Sequence, residues 1–256
     1  MTANVLRTLE RGLDLLSLYC DHPDSISLEY IMEKLQVPRS TAYRMVAVLR
    51  DRGFLRTTGV PGQFDLGYQL CHLARIADSR LNLGAIARPV MRELVSEVNE
   101  AALILVRSGL NALCIEEVQS SHTVQVRFNT GLPLPLYAGA AAKVVLAFMS
   151  DRDQDKALAG KLPALSQSGY LNKKKLREEL VRIRKTGVAM SCGDVLLGVV
   201  AVSVPIFAAD QSLLGGLTVA GAQARMPKDR CASLVKPLRA AADRIGESYS
   251  RAARVS

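Results

Sequence analysis

Three histidines, five scattered cysteines and no long unbroken apolar run define what this sequence is not. His22, His72 and His122 leave few candidates for a catalytic base, and no G-x-S-x-G, H-E-x-x-H or Walker phosphate loop occurs. Enzymatic activity is not expected. The cysteines, Cys20, Cys71, Cys114, Cys192 and Cys231, are odd in number and lack C-x-x-C spacing, so they read as reduced structural thiols. Asp151, Asp153 and Asp155 alternate like the opening of a calcium loop. Lys156 stands where that loop needs glycine and Leu162 where it needs glutamate, so they read as the acidic start of a helix. No metal or cofactor is expected. The longest apolar run, 195–209, is broken by Ser203 and Pro205 and falls short of the roughly 20 residues of a membrane helix. It reads as a buried strand. The first residues run into Arg7, Glu10, Arg11 and Asp14, which leaves no signal-peptide core and predicts a cytoplasmic protein without a membrane partner.

What remains is a globular chain of 256 residues, 49% hydrophobic and 22% charged, long enough for two domains. Its formal net charge of +9 permits a polyanionic partner without demanding one. The excess is local: residues 37–56 hold Arg39, Arg44, Arg50, Arg52 and Arg56 against Asp51 alone.

Val5, Leu6, Leu9, Leu13, Leu16 and Leu18 recur at helical spacing and predict a first helix over 5–19 with those residues on one stripe. Ser27 caps a short second helix whose first turn carries Glu29. Gln36-Val37-Pro38 turns the chain into a third helix, which starts at about Pro38 and runs to Arg52. Its predicted buried stripe is Ala42, Met45, Val46 and Leu49. That leaves Arg39, Ser40, Thr41, Tyr43 and Arg44 outward near its N-terminal end, where a helix-turn-helix contacts base edges. Gly53 closes the helix, and 54–56 with 63–66 flank a Gly- and Pro-rich turn as a hairpin wing bearing Arg56. A protein-interaction or scaffold module without an effector is the alternative, but it does not explain why the arginines gather on one helix and its wing.

Farther on, 66–81 has Leu70, Leu73, Ile76 and Ala77 at helical spacing and predicts a connecting helix, with His72 at its surface. Helices are expected at 83–99, 138–149, 173–185 and from Pro227 to about Arg251, the third presenting a solvated basic face. Strands are expected at 101–107, 112–118, 122–128, 199–207 and 213–220. The fold class is thus two-domain: an N-terminal α-rich winged helix-turn-helix over 1–66, a linker helix over 67–81, and a C-terminal α+β domain over 82–256.

Several segments carry a family resemblance: 8–16 (TLERGLDLL), 37–44 (VPRSTAYR), 52–55 (RGFL), 64–67 (FDLG), 131–143 (GLPLPLYAGAAAK), 186–189 (TGVA), 200–205 (VAVSVP) and 216–221 (GLTVAG). Over nearly its full length the chain resembles the IclR family of bacterial regulators. The resemblance implies that the C-terminal domain is GAF-like, that paired heads of a homodimer or tetramer bind double-stranded operator DNA, and that a small-molecule effector modulates binding. By resemblance the effector-binding positions are Leu134, Ala140, Ala141, Ser191, Val199, Ala201, Thr218 and Ala220. The family usually has histidine where Tyr137 stands and glycine where Ala142 stands. In members that sense small oxo-acids, the positions matching Ser191, Ala201, Thr218 and Ala220 carry an acidic residue, a cysteine and two serines. Most of that polarity is gone here, so a larger, more apolar organic acid, aromatic among the options, is the expected effector. Backbone N–H groups of Ala140 and Ala141 near a helix N-terminus are its expected carboxylate receptors.

Overall fold

The computed structural model describes residues 2–22, 24–79, 82–123, 125–128, 131, 133–166 and 169–255, which form two compact units, 1–80 and 81–256.

The first unit begins with helix α1 (Thr2–Asp21) and a two-residue strand β1 (Ile26–Ser27). Helix α2 (Leu28–Leu35) follows directly because the Ser27 hydroxyl accepts the Tyr30 N–H at 3.1 Å, as its capping role predicts. Helix α3 (Arg39–Asp51) starts one residue later than expected. Pro38 sits just outside it in extended backbone, its carbonyl accepting the N–H groups of Thr41 and Ala42. At the other end Gly53 adopts φ +74°, so that the Phe54 N–H reaches the Leu49 carbonyl and its own N–H the Arg50 carbonyl, a Schellman closure. The wing is β2 (Leu55–Thr57) against β3 (Gln63–Leu66), and β1 adds to the other edge of β3 to make three antiparallel strands. Helix α4 (Tyr68–Ser79) supplies most of the expected connecting helix; positions 80 and 81 fall outside the described residues.

The core of this unit is Leu15, Tyr19, Ile26, Ile31, Ala42, Met45, Val46, Leu55 and Phe64, with the Tyr19 hydroxyl donating to the Phe64 carbonyl at 2.8 Å. The stripe expected on α1 is corrected: Leu15 and Tyr19 are the buried positions, whereas Leu9 and Leu13 are more than half exposed. A period-3.6 pattern wide enough for two faces does not say which face meets this core.

In the second unit, α5 (Leu83–Val98) is capped by Asn82 and ends at Asn99 in left-handed backbone. Strands β4 (Ala101–Ser108) and β5 (Asn111–Val118) form a hairpin, followed by β6 (Pro133–Pro135) and helices α6 (Gly139–Ala147), α7 (Asp151–Ala157) and α8 (Lys173–Thr186). Strands β7 (Ala189–Cys192), β8 (Val199–Phe207) and β9 (Leu213–Ala222) precede the long helix α9 (Lys228–Val255). All neighbouring strands are antiparallel, in the order β6-β5-β4-β9-β8-β7.

The period of two sorts the side chains between two layers. Ala102, Ile104, Val202, Val204, Leu217 and Val219 face α5 and α9, while Leu103, Leu105, Ala201 and Ala220 face α6 and α8. Helix α6 is buried at every position, Lys143 included, as an apolar helix inside an α+β layer must be. Its last carbonyls are closed by a side chain from α8: the Arg184 guanidinium donates to Ala147 and Met149 at 2.6 Å each. Helix α7 begins at the Ser150 cap with Asp151 and Asp153 in its first turn, as the acidic cluster predicts.

The strand expected over 122–128 is absent among its described residues. The free edge of β5 is taken by β6 instead, and this segment is tied by side chains, with the Phe128 N–H donating to Glu117 Oε1 and Gln125 to the Ser120 carbonyl. Among the described residues no helix is long and apolar enough to cross a membrane.

Candidate nucleic-acid face and ligand cavity

The N-terminal half of α3 is a polar surface. Arg39, Ser40, Tyr43 and Arg44 are exposed, Thr41 is half-buried, and Ala42, Met45 and Val46 hold the opposite face in the core. Tyr43 is 61% exposed, an apolar ring held out in water. Among the described residues Arg39 and Arg44 have no ion-pair partner, so their guanidinium donors are available to phosphate or guanine. Arg56 differs. It donates to Asp65 across the wing at 2.9 Å and lies 5.5 Å from the ring centre of Tyr68, so it is pre-oriented but partly neutralised.

All the expected effector positions except Ala220 line one cavity on the α6 side of the sheet. Ala220 is fully buried, packed into the core on that side but off the cavity wall. The sequence reading missed Leu103, Leu105, Phe128, Ala138, Gly139, Asp194, Val195 and Leu196. Leu103 pairs directly with Thr218 across β4 and β9, so the strand register would have found it.

The cavity encloses about 30 Å³, room for water and not for a ring. Its polar groups are mostly engaged. The Ala140 N–H, an expected carboxylate receptor, donates to the Ser191 hydroxyl at 3.2 Å. The Thr218 hydroxyl donates to Ser203 at 2.9 Å, and the Ser203 hydroxyl in turn donates to the Leu217 carbonyl at 3.0 Å.

Asp194 accepts from Lys143 Nζ at 2.6 Å, and the same ammonium meets both oxygens of Glu179 at 3.2 Å. A second cavity of about 190 Å³ lies beyond, bounded by Tyr137, Lys143, Leu171, Cys192 and Asp194 among others. Burial pushes the Tyr137 hydroxyl pKa up, keeping it a neutral donor. Cys114 is inert for a similar reason: burial, and then the Glu117 carboxylate, push its thiol up to about 11. Burial also raises Cys231. Iodoacetamide at pH 7 is therefore expected to label exposed Cys192 in the folded protein and to spare Cys114 and Cys231; mass spectrometry showing a modified Cys114 would contradict that environment.

Residues 8–59 match the family described as the IclR helix-turn-helix domain, and residues 76–247 match that described as bacterial transcriptional regulator IclR C-terminal. The chain is 28% identical over 243 residues to the HTH-type transcriptional regulator KipR of Bacillus subtilis, covering 94% of this chain and 96% of that one. A putative IclR transcriptional regulator from a Silicibacter species superposes with a TM-score of 0.86 at 26% identity, over 95% of this chain and 96% of that chain. An IclR homologue from Microbacterium hydrocarbonoxydans, solved in complex with 4-hydroxybenzoate, shares the fold with a TM-score of 0.79 at 23% identity, over 96% and 99% of the two chains. With a helix-turn-helix unit and an α+β unit each matching its own family description, this chain belongs to the IclR family of DNA-binding bacterial transcription regulators.

Proposed function

We propose that Arg39, Ser40, Thr41, Tyr43 and Arg44 contact operator DNA in the major groove, with Arg56 on the wing beside them, and that an apolar organic acid held at the α6 cavity changes operator affinity. The observation that carries the second half is the convergence of Leu134, Ala140, Ala141, Ser191, Val199, Ala201 and Thr218 on one cavity with few polar groups. Such a wall favours a ligand with an apolar body. The 4-hydroxybenzoate held by the Microbacterium homologue supports an aromatic acid. A void of about 30 Å³ admits no such ligand without moving its walls, so the ligand binds a rearranged state better than the resting one, which is what an effector requires.

The chain acts as a non-catalytic cytoplasmic regulator, as a homodimer or tetramer. Exposed Leu9, Leu13, Tyr68, Leu73 and Ile76 on α1 and α4 support pairing with a second copy.

Fluorescence polarisation against the chain's own upstream intergenic DNA, with and without a panel of aromatic and aliphatic acids, tests both halves. Arg44→Ala is expected to weaken specific binding by roughly 10- to 100-fold while leaving the melting temperature unchanged. Unchanged affinity would remove α3 as the reading helix. No response to any acid would remove the effector.

A further inference from the structure

A carboxylate entering the α6 cavity meets an obstacle, for the only charged side chain among the described residues lining it is another carboxylate, Asp194. Two such groups in a water-poor space repel each other. The nearest cation is Lys143. Its side chain is 9% exposed and reaches Asp194 at 2.6 Å and Glu179 at 3.2 Å, so one ammonium serves two carboxylates. The cluster carries a net charge of −1 if all three groups are ionised. Asp194 borders both cavities, whereas Lys143 borders only the second, larger one.

The geometry points to Lys143 as the receptor of the effector's carboxylate, reached by exchange with Asp194. This rests on the acid-effector reading above. In the resting protein Asp194 occupies the position on Nζ that the ligand carboxylate takes. On binding, Asp194 turns out to water and the ligand's carboxylate replaces it, so the charge around Nζ is the same before and after. No cation has to be brought into the interior, and no buried charge is left unpaired.

Several observations favour the exchange. Asp194 is the more exposed of the two carboxylates, 29% against 22% for Glu179, and it lies on a loop rather than a helix. That loop is bracketed by Gly193 and Gly198, both at positive φ, where backbone rotation is least restricted. The Ser166 hydroxyl donates to the Gly193 carbonyl, holding the near end of the loop while Asp194 moves. Among the described residues Asp194 and Ala138 are those that border both voids, so moving the Asp194 side chain thins the wall between them. The larger, about 190 Å³, exceeds the roughly 150 Å³ void that accepts a benzene ring. The ligand class is therefore a monocarboxylate with a compact ring, its charge on Lys143 and its apolar body against Leu171 and the α6 side of the sheet.

The test is calorimetric titration of benzoate, 4-hydroxybenzoate and their two amides into the full-length wild type, Asp194→Asn and Lys143→Met. Asp194→Asn removes the charged competitor and is expected to bind the acids roughly tenfold more tightly while leaving amide affinity unchanged. Lys143→Met is expected to lose acid binding. Should that variant not fold, the Asp194→Asn comparison still decides. If the acids bind but Asp194→Asn gains nothing, or acids and amides shift together, the exchange is wrong and the cavity as an effector site stands. If no acid binds the wild type or Asp194→Asn, the acid-effector reading falls and the exchange with it.

Discussion

Gly246→Ala is expected to destabilise the second unit by about 3 kcal/mol, although a glycine-to-alanine change inside a helix ordinarily stabilises by up to about 1 kcal/mol. The reversal comes from a single approach. Gly246 lies in α9 where that helix crosses the end of β8, and a Cβ there would stand 2.0 Å from the Phe207 carbonyl oxygen. A backbone oxygen fixed in a strand cannot rotate away as a side chain would, so the helix must lift and the core between α9 and the sheet must open. For a unit of this size the expected fall in Tm is roughly 10 °C. Gly12→Ala on α1 is the control: nothing lies within 4 Å of its added Cβ, and it should be neutral or mildly stabilising. Equal melting of the two variants would show that α9 does not make this contact.

Arg225→Met is expected to cost about 3 to 5 kcal/mol, because it strands a charge inside the protein. Glu100 is fully buried and receives Arg225 Nε and Nη2 at 2.7 and 2.8 Å, a two-pronged grip on both oxygens. The hydrogen bonds to Glu100 raise the Arg225 pKa. Arg230 at 3.9 Å and His122 at 3.5 Å are too far to replace them. Gly221 belongs to the same arrangement, since a Cβ there would press to 2.5 Å on Glu100 Oε2. Combining Arg225→Met with Glu100→Gln removes the stranded charge and should recover part of the loss. If the double variant is no more stable than Arg225→Met, lost packing and not charge explains the effect.

The elements that local chemistry determines were legible in the sequence. Ser27 has one role at the start of α2, Gly53 one role after α3, and the apolar run of Val199–Phe207 reads as a buried strand, so these need no knowledge of the rest of the chain. The family resemblance carried the cavity positions, which no pattern within the chain would have grouped. Three features escaped for identifiable reasons. Residues 122–128 alternate like a strand, but the described ones have no partner strand, because strand pairing is decided by which segment reaches the free edge of β5. Strand β6 itself carries two prolines, which argue against a strand until its position at an edge is known. The burial of Lys143 depends on Glu179 and Asp194, which lie 36 and 51 residues away in the chain.

The prolines of β6 reach beyond local geometry. Pro133 and Pro135 have no amide hydrogen, so the three residues of this terminal strand hold one N–H between them, that of Leu134. An incoming strand from another chain would find almost no donors along that border, and the opposite border, β7, offers only four residues. The sheet is therefore a poor template for its own extension. Self-association by strand addition, the route by which open sheets grow into aggregates, is closed off at one end by composition and at the other by brevity.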